Sequence, residues 1–208
     1  MTGRCRPRPG DWTIRSYQND WLTIMRELAP VLRAHYPQGD LWLSRRLDDV
    51  QDGRARAQVA LLDRQLAGIA IETPKCEGQV KLSTLWVAPQ VRQCGLGTAL
   101  LHRCTHHWLT AGTPCAWITV GAAARRELTA LISTHGFRQT AVEPHRYGTG
   151  RHEWILHWTP EQHRVAVESP RSIGSWRMSI GQTGRGPKKA HRADVLAMSV
   201  VEHRHRRA

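Results

Sequence analysis

Lysine is scarce: of thirty basic residues only four, Lys75, Lys81, Lys188 and Lys189, are lysines. No stretch of about 18 apolar residues occurs, which excludes a membrane-spanning helix. The opening run Met1 to Gly10 also lacks the apolar segment of a secretory signal, so the expected compartment is the cytoplasm, without membrane contact. No two of the five cysteines (Cys5, Cys76, Cys94, Cys104, Cys115) form a C-x-x-C pair, which removes the usual zinc and dithiol sites and predicts reduced thiols. With 208 residues the chain has room for one ordinary domain and additional tail, and little for a second.

What is abundant is arginine, and the formal net charge is +13. Such an excess suits an anionic partner. Ten basic and four acidic residues follow Pro160, however, so much of the charge rides on the C-terminal part. Residues 1–10 read as a disordered lead-in, 11–159 as the folded domain, and 160–208 as a basic disordered tail, in which residues 194–201 allow a short helix or strand.

Within the domain a strand is expected at Trp12 to Ser16, followed by a helix capped by Asn19 or Asp20, with Trp21, Ile24, Leu28 and Val31 on one face. A second helix runs from about Leu41 to Gly53, carrying Leu43, Leu47 and Val50 inward and Trp42 on another side. Residues 57–62 and 66–71 read as a hairpin turning at Asp63-Arg64, and Val80 to Val87 as a third strand closed by Pro89. A helix opening at Gly95 follows, with Leu96, Leu100, Cys104 and Trp108 on its buried face. Then come a strand at 116–120, a helix from about Ala123 to Thr134, and strands at 137–142 and 153–158.

The chemistry is concentrated where the third strand meets its helix. In Arg92-Gln93-Cys94-Gly95-Leu96-Gly97-Thr98 the glycines let backbone N–H groups approach a ligand closely at a helix N-terminus. That arrangement suits a pyrophosphate, with Arg92 as an added cation and Thr98 as a hydroxyl donor. The longer pattern Leu85-Trp86-Val87-Ala88-Pro89-x-x-Arg92-x-x-Gly95-x-Gly97-x-x-Leu100-Leu101 resembles the acyl-CoA signature of the general N-acetyltransferase (GNAT) superfamily. His135-Gly136-Phe137 resembles that family's helix-ending Gly-Phe, and the resemblance extends over about Trp12 to Trp158.

The resemblance implies an α/β (α+β) fold: a mixed, mostly antiparallel sheet flanked by helices. It also implies a bulged strand that splays from its neighbour, freeing backbone near Trp86 and Val87 for the pantetheine arm. Residues Trp86, Val87, Arg92, Gln93, Cys94, Gly95, Leu96, Gly97 and Thr98 would hold acetyl-CoA, whose acetyl group passes by direct attack to a primary amine of a small molecule or protein, the enzyme acting as monomer or homodimer. Val80 to Val91 contains no acidic residue, so the family's frequent glutamate base is missing there; Ile132 stands at the place of the common tyrosine acid, and Arg125 at that of a frequent asparagine. Glu72 and Tyr147 are the substitutes, with His145 near Tyr147. These departures keep two other readings in view, a CoA-binding module with impaired catalysis and a nucleic-acid-binding protein acting through Arg171 to Arg207. Cys94 at a helix N-terminus invites an acylation role, but its place is beside the pyrophosphate; His102 and His106 read as a solvated helix face.

Overall fold

In the computed structural model, which describes residues 11–121, 124, 128, 131–145, 149, 152–168 and 196–198, the hairpin lies at the heart of the sheet. Its strands are β2 (Arg56–Leu62) and β3 (Gln65–Pro74). Asp63 and Arg64 join them with φ of 49° and 63°, the left-handed pair that a type I′ turn requires. Every residue from Leu66 to Thr73 is buried, which demands cover on both faces of the strand.

One cover is the antiparallel pair α1 (Trp21–His35) and α2 (Gly39–Gln51), which bury Ile24, Leu28, Leu32, Leu43 and Leu47. Asp20 occupies the N-cap of α1, yet its side chain makes no cap bond. The carboxylate pairs instead with Arg15 at 2.7 Å and accepts the Gln18 backbone N–H, a local alternative that Asp readily takes. Trp42 packs against the core. The other cover is α3 (Leu96–Thr110), which buries the expected Leu96, Leu100, Cys104 and Trp108. Helix and sheet meet most closely at Gly68, where a Cβ would stand 3.0 Å from both Leu100 Cδ1 and the Trp86 carbonyl oxygen.

Strands β1 (Trp12–Ser16), β4 (Val80–Val87), β5 (Ala116–Gly121), β6 (Arg138–Glu143) and β7 (Glu153–Trp158) complete the order β1-β2-β3-β4-β5-β7-β6. In that order only β4 and β5 run parallel. Of the helix expected from Ala123 to Thr134, Leu128 and residues 131–133 are helical, and several of the others, Arg125 included, lie outside the described residues.

The boundary at Pro160 is corrected by the structure. Residues Pro160–Glu168 form helix α4, and Leu196–Met198 form a further strand, β8, paired with β4. A reciprocal cap starts α4: the Thr159 N–H donates to Gln162 Oε1 at 3.1 Å and the Gln162 N–H to Thr159 Oγ1 at 3.3 Å. Thr159-Pro160-Glu161-Gln162 is a capping box with proline at the first helical position, a local signal that starts a helix in spite of the arginine-rich composition beyond it. The helix docks where Gly136, at φ +91°, brings its Cα against the His163 backbone, and His163 Nδ1 donates to the His135 carbonyl at 2.9 Å.

Glu72, 2 % exposed, ends in a polar cluster beneath the last turns of α3. Its Oε2 accepts Trp108 Nε1–H at 2.8 Å and lies 3.1 Å from His107 Nδ1. The far ring nitrogen of His107, Nε2, meets the Arg56 guanidinium. A carboxylate only accepts and a guanidinium only donates, so the imidazole bridges them with Nδ1 turned to Glu72 and Nε2 to Arg56. Burial, with the adjacent Glu72 carboxylate, pushes the Cys104 thiol well above its ordinary pKa.

Two stability measurements follow from this packing. Glu72→Gln places an amide N–H₂ among donors and should lower the unfolding free energy in urea by about 1–3 kcal/mol. Gly136→Ala would put a Cβ 2.6 Å from the His163 backbone N and Cα at a positive φ, and should cost about 2 kcal/mol or more in the same titration.

Candidate active site

The parallel pair β4–β5 is a fork. It is hydrogen-bonded only at its base, Val80 opposite Ala116 and Lys81 opposite Trp117. A bulge stands immediately beyond. In the β3–β4 register Ile71 faces Thr84 and Glu72 faces Leu82, so Ser83 is an additional residue on β4, and a bulge of this kind sharpens the local twist. Ser83 Oγ is held by Thr73 Oγ1 at 2.7 Å. At the fork's base the buried Lys81 ammonium lies 4.4 Å from the centre of the Trp117 ring, a cation–π contact.

Above the bulge β4 keeps its pairing with β3 up to Val87 opposite Gly68. The chain then passes through a 3₁₀ turn at Pro89–Val91 into the glycine segment. Arg92 Nε donates to the Val87 carbonyl at 3.0 Å and ties this segment to the tip of β4. Gln93 and Gly95 both have positive φ, 62° and 86°. Left-handed residues at a turn can aim neighbouring N–H groups into one concavity, as in an anion-binding nest. Gly95 is the N-cap of α3, and the first-turn N–H groups at Leu96, Gly97 and Thr98 have no acceptor within the helix. A Cβ built on Gly95 meets nothing within 4 Å, whereas on Gly97 it would stand 3.2 Å from Leu131 Cδ2 and 3.6 Å from Val87 Cγ2. Gly95 thus opens onto space, and Gly97 lets the helix sit close against β4. Cys94 turns its thiol back to the Arg92 carbonyl at 3.6 Å.

This turn and the fork are adjacent, and together they fit a phosphate-bearing acyl thioester: donors and a helix dipole at one end, an extended slot between strands at the other. Trp86, Val87 and residues 92–98, marked in the sequence, are therefore brought together. The Trp86 backbone was expected to be free. Its carbonyl is turned to β3 beside Gly68, and on the other side β8 lies along β4, with Leu196 opposite Trp86, Ala197 opposite Leu85 and Met198 opposite Thr84.

Glu72 is not part of this site. It sits beside Trp108, 11 residues beyond Gly97 on α3, about 17 Å along the helix axis, and its oxygen is engaged by Trp108 and His107. Tyr147 lies outside the described residues, and its neighbour His145 packs its ring against His152 with centroids 4.9 Å apart. The basic residues from Arg171 to Arg207 also lie outside them. His102 and His106 occupy an exposed face of α3, their rings 6.4 Å apart. Ile132 is fully buried.

Two residues not marked in the sequence stand at the fork's open end. Glu153, 2 % exposed, begins β7 directly opposite Gly121, the last residue of β5. Its Oε1 is 2.9 Å from where a Gly121 Cβ would be, and the hydroxyl of Tyr36, at the end of α1, is 3.6 Å from the same point. Gly121 is four residues past Trp117 and Leu85 four past Lys81, so this point is level with Leu85–Trp86 across the fork. Glu143 of β6 is the cross-strand partner of Glu153 on the other side. Only the sheet order reveals the cluster, because Tyr36, Gly121 and Glu153 are far apart in the chain.

A family model described as the acetyltransferase (GNAT) family matches residues 19–137. Among solved structures, a GNAT-family acetyltransferase of Desulfovibrio desulfuricans superposes with a TM-score of 0.62 at 21 % identity, over 71 % of this chain and 98 % of that one. The ribosomal-protein-S18-alanine N-acetyltransferase of Escherichia coli gives 0.59 at 20 %, over 71 % and 93 %. A ribosomal-protein-alanine N-acetyltransferase of Brucella melitensis gives 0.61 at 17 %, over 71 % and 99 %. The search of curated proteins returned no match. At these identities the structures speak to the fold, a mostly antiparallel sheet flanked by helices. The family model spans more than half of the chain and takes in the glycine turn and most of the fork, and the chain belongs to the GNAT acetyltransferase family.

Proposed function

We propose that this acetyltransferase takes its acetyl group from acetyl-CoA and transfers it directly to a primary amine. The observation that carries the proposal is the junction of the open β4–β5 fork with the nest at Gln93–Gly95 and the N-terminus of α3. The donor supplies a thioester carbonyl open to an uncharged amine. The N–H groups at the start of α3 bind the phosphates, aided by the helix dipole. Arg92, anchored through Nε to the Val87 carbonyl, holds a positive charge at the mouth of the turn. The edge of β4 away from β3, from Leu85 to Val87, is the one along which an extended arm with amides of its own would lie in place of β8.

An amine is protonated at neutral pH and must lose that proton before it can attack. Glu153 is the carboxylate at the fork's open end, and it is assigned here to receive the ammonium and remove the proton. Tyr36 presents a hydroxyl to the same space and is assigned to orient the acceptor. This replaces Glu72 as base. The acceptor is a small molecule or a protein amine; two of the structural relatives act, by their names, on alanine of ribosomal proteins.

Calorimetric titration with acetyl-CoA tests the donor. Micromolar binding, about −8 kcal/mol, is expected for the chain, and Gly95→Asp should weaken it at least about 100-fold by placing a negative charge in the nest. Open space at Gly95 and the tolerance of Asp for left-handed φ keep that variant folded; unchanged affinity in it would overturn the donor site. Glu153→Gln should lower kcat/KM for thiol release by roughly 100-fold or more while leaving the acetyl-CoA affinity within about two-fold. A turnover equal to the unmodified chain's would remove Glu153 from the reaction.

A further inference from the structure

The free edge of β4 has an occupant. One edge is committed to β3 from Val80 to Val87, and the other is shared with β5 only at Val80 and Lys81. Past the Ser83 bulge that second edge would be a row of unpaired N–H and C=O groups, which readily templates another strand. β8 pairs there, antiparallel, with Met198 opposite Thr84, Ala197 opposite Leu85 and Leu196 opposite Trp86, and it also contacts β5. It therefore stands inside the fork. We infer that Leu196–Met198 is an internal blocker of the acyl-donor slot, so that the chain exchanges between a form closed by its own C-terminal segment and an open form that binds donor.

The argument rests on the reading of the fork as the donor slot, and it follows from a conflict over one strand edge. An extended donor arm and β8 need the same outward backbone groups of Leu85, opposite Ala197, because the neighbouring Trp86 carbonyl is turned to β3, and the two cannot use them together. The 27 residues between Glu168 and Leu196 make the competition intramolecular, so β8 does not dilute away as a separate peptide would. Three paired residues make a short strand, marginal in isolation, which keeps opening within reach of a ligand. The apparent donor affinity is then the intrinsic affinity reduced by the fraction of open chains. Removal or capture of the segment, for instance by a surface that prefers the basic C-terminal part, raises activity without altering any residue of the site.

The test compares the unmodified chain with its Leu196→Pro/Ala197→Pro variant, because proline cannot donate to the ladder and neither residue belongs to the donor or acceptor machinery. Acetyl-CoA binding is measured by calorimetry, and amide hydrogen exchange is followed at Leu85, with Trp86, turned to β3, as the internal reference. The expected result is at least about five-fold tighter binding in the variant. Faster exchange at Leu85 should accompany it, with protection restored by saturating acetyl-CoA. Equal affinities, or equal exchange at Leu85 in both chains, would overturn the blocker while leaving the donor reading intact. Failure of both chains to bind acetyl-CoA would overturn the donor reading, and the blocker with it.

Discussion

Ser83 is skipped in the backbone register between β4 and β3, and the hydroxyl of Thr73 on β3 holds its side chain. A bulge there comes two residues after the last β4–β5 pair, Lys81 with Trp117. Below it the two parallel strands are close enough to exchange hydrogen bonds, and above it they are not. The slot and the strand edge that runs along it both depend on this one irregularity. In a regular sheet β5 would satisfy the second edge of β4 along its whole length, and the glycine turn would be an anion site with nothing beyond it.

The two helical covers hold the fork open from both sides. Leu96 and Leu100 press α3 against Gly68 and fix the N-terminus of that helix beside the tip of β4. On the other face α1 ends at Tyr36, whose hydroxyl reaches the space that Gly121 leaves by lacking a side chain. Phosphate-binding groups and acceptor-side groups therefore reach the slot from different layers of the fold, and each is positioned by apolar packing remote from the chemistry.

Features that depend on local sequence were legible before the structure. Leu96, Leu100, Cys104 and Trp108 recur at helical spacing and are buried as that spacing requires, and Gly95 stands at the start of α3 because a left-handed residue is needed there. Asp20 shows the limit of local signals: it is where a cap belongs, but Arg15 on the preceding strand claims its carboxylate. Glu72 shows it again. A strand-end acid usually faces water, and nothing in the neighbouring residues announces that Trp108 and His107 will close over it. The Glu153–Tyr36 cluster was invisible for the same reason, since it exists only once β7 is placed beside β5. Helix α4 was legible and overlooked: the arginine-rich composition after Pro160 outweighed a four-residue capping signal at its start.

The lysine beneath the fork has a meaning of its own for an enzyme that acylates amines. Positive charge can be carried by guanidinium or by ammonium, but only the second has a nitrogen nucleophilic enough, once deprotonated, to take an acyl group readily. This chain carries almost all of its charge as arginine, and one of its four lysines, Lys81, is buried against the face of Trp117. A highly basic surface is thereby built from groups that its own chemistry leaves untouched, and self-labelling is confined to a very few positions that a peptide map would resolve one by one.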